Sequence, residues 1–427
     1  MKKWIACLAS ALAVLSPTAG ASLSLATWNL GWHVSQKEAG EWIASCDKRY
    51  ELDASGKVWS ASAKPDAQTG WQIDWRPRDE AVRLPWTIDR MPPCNIYQDA
   101  MRYVIPVTTE TFAARARRIA QLIEKDIAAD VMAFQEVSGE AAVRDVLGGL
   151  SPQYNVCSYD GYAIQRLAFA WKKSLSATGA CEVFQPLSLP QNGEARRPRP
   201  GLRLTLKAGD STMAFLNVHL KAACVSPLEA GPENRGQLES DQRDCVILQQ
   251  QVAPLEEWLE QTAKITDRIV FMGDFNRDLW HEAEAAKQSG RSVRVDGSDP
   301  KSPLKPGARV RLLLPEINDG EPPASTLVLA ANGCAKSDAS QAVCNTAKTA
   351  RLSRADREAL SLEMGCRNPV GLDQMLVSRA WPKLPAMLRS EKISIAPFGV
   401  SMSAAGSTPA SLAASDHCPL RMVIPAP

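Results

Sequence analysis

Short apolar runs recur along this chain, and each meets polar residues at one end. Leu23–Ala26 leads into Thr27-Trp28-Asn29, and Asp130–Phe134 into Gln135-Glu136. Met213–Leu216 leads into Asn217-Val218-His219-Leu220-Lys221, and Ile269–Met272 into Gly273, Asp274 and Asn276. Leu372-Asp373-Gln374 opens the run Met375-Leu376-Val377-Ser378, and Ser415-Asp416-His417 stands just before Pro419–Ile424. Runs of this length bounded by polar residues suit buried strands. The predicted strands are 23–28, 130–136, 154–158, 166–172, 202–207, 213–219, 268–273, 372–378, 393–396 and 420–424. Gly273 is expected to break its run. Strand side chains alternate, so Asp274 and Asn276 should point the same way, one pleat apart.

Two stretches carry helical spacing instead. Over 110–128, Phe112, Ala116, Ile119, Ile123 and Ile127 share a face, with Arg115, Arg117 and Arg118 mostly elsewhere on the cylinder. Over 238–261, Leu248, Val252, Leu255 and Leu259 line one side, and Pro254 should kink or divide the helix. Strands arriving in pairs with helices between some of them predict two packed sheets flanked by helices. The polar-ended runs extend from Asn29 to His417, so both ends of the chain should serve one domain, 22–427. Segments 33–109 and 284–365 then read as insertions. The first holds Trp42, Trp59, Trp71, Trp75 and Trp86 among Pro, Arg and Asp. Such aromatics could stack bases, but packing a loop-rich insert is the preferred reading.

The N-terminus changes the picture of where this domain works. Met-Lys-Lys, an apolar run from Trp4 to Leu15 and Ala19-Gly20-Ala21 make a secretory signal with cleavage expected after Ala21. The run is too short for a retained anchor, and no later segment suits a membrane helix. A periplasmic or secreted protein is expected. Cleavage removes Cys7 and leaves ten of the 11 cysteines, which in an oxidising compartment favours disulfides. Cys224 with Cys245 is the first expected pair and Cys334 with Cys344 the second. Cleavage also takes two of the 49 basic residues, so the remainder equals the 47 acidic ones and net charge is zero. Tight nucleic-acid binders are usually more basic. Arg196, Arg197, Arg199 and Arg203 nevertheless cluster before a strand, where they could meet phosphates. No obligate protein partner is indicated.

Hydrolysis of a phosphate ester needs charge stabilisation at the phosphoryl oxygens, an activated water and help for the leaving oxygen. Glu136 is a hard-oxygen ligand suited to Mg²⁺, and Asn29 could offer an amide oxygen nearby. Two of the four histidines, His219 and His417, lie in polar-ended blocks, and histidine can donate to phosphate when protonated. Cys-x-x-Cys pairs and clustered histidines, the marks of a zinc site, are missing from the sequence.

The ordered blocks ending in Asn29, Glu136, His219, Asp274/Asn276, Asp373 and Asp416/His417 resemble the endonuclease/exonuclease/phosphatase (DNase I-like) superfamily. That resemblance implies a four-layer α/β sandwich and a metal-dependent phosphoesterase. It implies Asn29, Glu136 and Asp416 around Mg²⁺, with Mn²⁺ as a substitute. It further implies His417 as the acid/base at the scissile phosphate, with Asp373 fixing its ring. Asp274 would orient or deprotonate the attacking water, Asn276 would hold a phosphate oxygen and His219 another.

This chain departs from the family pattern at Gln374 and at Gln165. Gln165 stands about where DNase-like members carry an acidic partner for the first histidine, so His219 is expected to be neutral. The leading expectation is an exported Mg²⁺-dependent phosphodiesterase with nucleic acid as substrate. A sphingomyelinase-like lipid enzyme, an inositol-phosphate phosphatase and a non-catalytic binding protein on the same scaffold are the alternatives.

Overall fold

Every polar-ended apolar run is a strand in the computed structural model. It describes residues 22–73, 83–84, 91–92, 94, 107–161, 164–193, 197–229, 236–289, 292–305, 307–333, 337–399 and 412–427. The expected signal, 1–21, lies outside the described residues. The chain begins with β1 (Ser22–His33), α1 (Gln36–Cys46) and three short strands, β2 (Arg49–Leu52), β3 (Trp59–Ala61) and β4 (Gln68–Thr69). Next come α2 (Thr109–Leu122), β5 (Val131–Val137), α3 (Glu140–Leu147), β6 (Tyr154–Cys157) and β7 (Arg166–Lys172). Then follow β8 (Thr178–Phe184), β9 (Gly201–Ala208), β10 (Ser211–His219), α4 (Arg243–Ala263), β11 (Ile269–Asp274) and α5 (Leu279–Ser289). The remainder comprises α6 (Leu313–Ile317), β12 (Leu327–Leu329), β13 (Ala331–Gly333), α7 (Asp338–Thr346) and α8 (Arg354–Met364). The chain closes with β14 (Asp373–Ser378), β15 (Arg389–Lys392) and β16 (Leu420–Pro425).

Two mixed sheets form, in the orders β13-β15-β16-β1-β5-β7-β6 and β12-β14-β11-β10-β9-β8. Alternation along each strand assigns one set of side chains to the space between the sheets and the other to the helices. Leu23 and Leu25 of β1, Val131 and Ala133 of β5, Phe215 of β10, Val270 and Met272 of β11, and Met375 and Val377 of β14 pack together in that middle layer. Trp28 and Phe134 face Ile119 of α2, Val143 of α3 and Leu360 of α8. Phe271 and Leu376 face Leu248, Leu255 and Trp258 of α4 and Leu313 of α6. Strands apolar on both faces are what a helix–sheet–sheet–helix sandwich requires. Burying each of these large side chains stabilises the fold by roughly 1.5–3 kcal/mol.

Several expectations shift. Gly273 does not break its run but lies inside β11, where its φ is +135° and a Cβ would sit 2.3 Å from the Val218 carbonyl oxygen. Only glycine lets β11 approach β10 this closely. The strand expected at 393–396 is instead β15, Arg389–Lys392. Its buried residues are Ser390 and Lys392, so an apolar pattern points past it. Pro254 does not divide α4, which runs through it. The carbonyl that loses a donor belongs to Gln250, an exposed residue that water can satisfy. α2 ends at Leu122 in a π-turn over Ile123–Ile127, and Arg115 is buried rather than solvated.

The described parts of segment 33–109 serve as packing material. Ser35 and Glu38 form a capping box on α1, and Trp42 meets the ring of Phe112 edge-on at 6.3 Å. Trp59 and Trp71 pack against the same cluster. Trp75 and Trp86 lie outside the described residues. Within 284–365, α6 packs on α4 and α8 covers the first sheet. Disulfides join Cys46–Cys94, Cys157–Cys181, Cys224–Cys245 and Cys366–Cys418. The first expected pair is therefore present. Cys344 is also disulfide-bonded, whereas Cys334 lies outside the described residues.

Candidate active site

The site is a continuation of the middle layer. Leu23, Leu25, Thr27 and Asn29 point into it in turn along β1, as do Val131, Ala133 and Gln135 along β5. Met213, Phe215, Asn217 and His219 do so along β10, and Val270, Met272 and Asp274 along β11. β14 enters from the opposite direction with Asp373, Met375 and Val377. Apolar residues fill the middle of each row and polar ones its end, so one end of the sandwich becomes polar by register. Cross-strand pairing sets His219 beside Asp274 and Asp274 beside Asp373. One layer deeper, Gln135 Nε2 donates to Thr27 Oγ1 (2.9 Å) and Asn217 Oδ1 (2.7 Å). Asn217 Nδ2 in turn donates to the Phe134 and Ala168 carbonyls, which bolts the two sheets together beneath the site.

Glu136 breaks the alternation. Its parity would send it toward the helices with Phe134, yet its φ is +56° and the β5 pairing shifts register after Phe134. The carboxylate thus turns back toward Asn29, whose Nδ2 donates to Glu136 Oε1 (3.3 Å) and to Asp274 Oδ2 (3.0 Å). His219 Nε2 lies 3.5 Å from both Glu136 Oε1 and Asp274 Oδ2. His417 Nδ1 faces Asp373 (3.1 and 3.2 Å), and its Nε2 is 3.9 Å from Asp274 Oδ2. The main-chain N–H of Asn276 donates to Asp274 Oδ1 (2.8 Å). β11 ends at Asp274, so Asn276 is not one pleat on. It sits at φ +49° with Nδ2 donating to the Leu220 carbonyl (3.1 Å).

Burial and charge separate the titrating groups. Burial opposes a charge on His417, but Asp373, Asp416 and Asp274 overcome it and push its pKa up to about 10. Burial likewise works against an ionised Asp373, yet Lys392 and His417 hold that carboxyl down at about 2. Burial, with repulsion from Asp373 and against the pull of His417, pushes Asp274 up to about 7. His219 is driven well below the usual histidine range by burial and then by Arg199 and His417. Environments that push neighbouring groups apart in this way mark acid and base partners.

The same stretch of chain matches a family model, "Endonuclease/Exonuclease/phosphatase family", over residues 94–417, more than half of its length. The chain belongs to the Endonuclease/Exonuclease/phosphatase family. As a member it is a hydrolase of phosphoester bonds built on the α/β sandwich described above. Among solved structures it is similar to ANGEL2, described as a 2',3'-cyclic phosphatase, at 16% identity and TM-score 0.44, covering 95% of this chain and 96% of that one. A family protein from Bacteroides thetaiotaomicron gives 12% identity and TM-score 0.42 over 95% and 98%. A humanised D. rerio TDP2 gives 14% and 0.36 over 74% and 93%. No curated protein matches the chain.

Family enzymes use divalent metals, and two residue sets bear on that. Asp274, Asp373 and His417 each offer a ligand atom within 4.8 Å of the others. That set fits a cation poorly, because Lys392 Nζ already meets Asp373 Oδ2 at 2.5 Å and His417 Nδ1 faces the same carboxylate. Glu136 and Asp416 fit better. Burial and then, against Arg199, the Asp416 charge raise the Glu136 pKa, a load that a cation between them would relieve. With the Asn29 amide they supply oxygen donors, the preference of Mg²⁺.

Three residues of the site carry no motif. Lys392 is buried on Asp373, and its Nζ also donates to the Cys418 carbonyl (3.1 Å). Asn368 Nδ2 reaches Asp416 Oδ2 (3.4 Å) and His417 Nε2 (3.3 Å). Arg115 clasps the carbonyls of Leu30, Ala413 and Ala414, joining the Asn29 strand to the Asp416-His417 segment. Gln165 accepts a hydrogen bond from Arg199 instead of partnering His219, whose Nδ1 has no hydrogen-bond partner among the described residues. The expected arginine cluster disperses. Arg197 folds back onto the Pro190 and Asn192 carbonyls, and Arg203 pairs with Glu182 on the far side of its strand. Arg196 lies outside the described residues. Arg199 alone of the described three is electrostatically coupled to Glu136 and His219.

Proposed function

We propose that this chain is an exported, divalent-metal-dependent phosphodiesterase acting on nucleic acid. The observation that carries it is the meeting of His219, Asp274, Asp373 and His417 at one end of the inter-sheet layer, with Glu136 and Asn29 alongside. Asp274, held by Asn29 and the Asn276 N–H, is placed to orient a water and take its proton. His417, kept protonated by Asp373, is placed to donate to a phosphoryl or leaving oxygen. Neutral His219 offers a hydrogen bond on the other side of Asp274, and Arg199 adds positive charge beside Glu136. Asn276 shapes the turn after β11 and, in this reading, turns its amide from the Leu220 carbonyl to a phosphate oxygen when substrate binds. Glu136, Asn29 and Asp416 would hold Mg²⁺, or Mn²⁺ in its place. When bound, that ion supplies charge stabilisation to the phosphoryl oxygens.

Export is supported by the signal-like N-terminus and by the disulfides, which persist in oxidising compartments. Among the described residues no helix is long and apolar enough to cross a membrane. Purified mature protein should hydrolyse DNA or RNA with Mg²⁺, lose that activity in a chelator and recover it with Mg²⁺ or Mn²⁺. Sphingomyelin vesicles should stay intact. Full turnover in a chelator would remove the metal assignment, and cleavage of the vesicles alone would move the protein to lipid substrates.

A further inference from the structure

Beside the reactive group lies a cavity of about 190 Å³ that the catalytic roles above leave unused. Its walls come from the loop after β10, the start of α5, the segment after α7 and residues 367–372. Asn368 belongs to both places: it lines the cavity and touches Asp416 and His417. A substrate held at His417 therefore has this cavity as its immediate neighbour.

The lining combines three kinds of surface. Arg351, Arg357 and Arg367 bring positive charge, and Arg351 is braced by Glu229 at 3.1 Å. Leu352, Val370 and Ala347 supply short apolar walls. The floor is polar: Asp278 Oδ1 accepts the N–H groups of Trp280 and His281, and His281 Nδ1 meets Ser226 Oγ at 2.7 Å. Gly371 makes this floor possible, because a Cβ there would stand 2.8 Å from Asp278 Oδ2.

We propose that this cavity is a substrate subsite for the nucleoside unit next to the scissile phosphate. The proposal rests on the nucleic-acid reading given above. A nucleobase has apolar faces and a polar edge, which match the apolar walls and the Asp278–His281–Ser226 floor. Arginines at such a site meet flanking phosphates. An acyl chain would set hydrocarbon against that polar floor and the arginines and match neither. A bare phosphate would press on the Asp278 carboxylate. Because α7 and the segment after it lie within the 284–365 insertion, this subsite also gives that insertion a role in specificity.

Ala350, exposed at the cavity, and Arg357 line it without belonging to the catalytic set. The test compares Ala350→Phe, which obstructs the cavity, and Arg357→Ala with the unmodified mature protein. Binding of a short fluorescent single-stranded oligonucleotide is measured in chelator, where no turnover occurs, and hydrolysis of bis(p-nitrophenyl) phosphate is measured with Mg²⁺. Both variants should bind the oligonucleotide about tenfold more weakly, a loss of about 1.4 kcal/mol, and should hydrolyse the small diester at the unmodified rate. Unchanged oligonucleotide binding in both variants overturns the subsite. So does an equal loss on the small diester, which would place the residues in the catalytic machinery or the fold. Failure of the unmodified protein to cleave any diester would strike the nucleic-acid reading, while the binding comparison still decides the subsite. An oligonucleotide that does not bind at all overturns both.

Discussion

Asp373 is held between two cations, Lys392 at 2.5 Å and His417 at 3.1 Å, and all three are buried. The pair Asp373–His417 fixes the ring so that Nε2 is the nitrogen left facing Asp274 and Asn368. Asp373→Asn keeps the shape but removes the charge that stabilises the imidazolium. Its kcat should fall by about 10²–10⁴ with little change in KM, as expected when an acid/base term acts only in the transition state. Lys392→Met leaves Asp373 with one cation and a smaller electrostatic load, so its main effect should be on stability. Removing one partner of a buried pair typically costs about 3–5 kcal/mol. Steady-state kinetics and thermal unfolding of the two variants check this split. A Lys392→Met enzyme with normal stability and a kcat as low as Asp373→Asn would make Lys392 a direct participant. Asp373 and Asp274 were legible in the sequence because each ends an apolar alternation on the inward parity, and His417 because Ser415-Asp416-His417 stands just before an apolar run. Lys392 was not, since a lysine that follows Ser390 and Glu391 reads as a solvated edge until its partner 19 residues away is known.

At the scale of elements, the site depends on how two strand ends and one late segment are tied. Arg115, from a helix that precedes β5, donates to Leu30, Ala413 and Ala414 carbonyls and contacts His33 Nδ1 at 2.5 Å. His33 in turn stacks on Phe112 at 5.3 Å. Helical periodicity set Arg115 apart from the apolar face because it registers polarity, not the backbone carbonyls almost 300 residues away that consume this guanidinium. Cys366–Cys418 ties the same region from the other side, next to Asn368 and His417. Arg115→Ala leaves several buried carbonyls without donors, each at about 1–3 kcal/mol before water enters. It should lower stability by at least 2–3 kcal/mol and reduce kcat/KM by about tenfold or more, through displacement of Asn29 and Asp416 and not through loss of a reacting group. Arg115→Lys, which keeps the charge but not the fork, should restore only part of either. Full activity in Arg115→Ala would show that the Asn29 and Asp416 loops hold their positions without the clasp. Glu136 illustrates the converse case. Its identity was readable, but the left-handed backbone that turns it into the site was not, because no residue type announces a strained non-glycine turn.

Across the whole molecule, the two sheets and their covering helices follow from the apolar pattern, and the segment 284–365 adds a buried charged group beside the apolar contact of α6 with α4. Arg294 pairs with Glu316 at 2.6 Å, and Glu256 of α4 lies in the same group with Glu260 and Asp319. Four carboxyls around few cations leave an acidic excess, and all four have raised pKa values with burial as the leading cause. Glu256 is the extreme, pushed from 4.5 up to about 8 by burial and then by repulsion from Glu316, Asp319 and Glu260, with Arg294 pulling the other way. The sign follows from proton counting. Between 4.5 and about 8 the folded chain keeps the Glu256 proton that the unfolded chain has released, so the native state binds more protons. Stability attached to this group is therefore complete below pH 4.5, declines as pH rises through the window and is gone above about 8. Partial solvent contact screens the charge and reduces the size of the effect. Glu256→Gln keeps the shape and removes the titration. Its melting temperature should match the parent near pH 4.5 and exceed it by a few degrees at pH 8, a difference of roughly 1 kcal/mol in a protein of this size. Melting curves of both proteins across that range decide the matter. A parallel shift at every pH would mean that Glu256 acts through packing or hydrogen bonding and not through its titration.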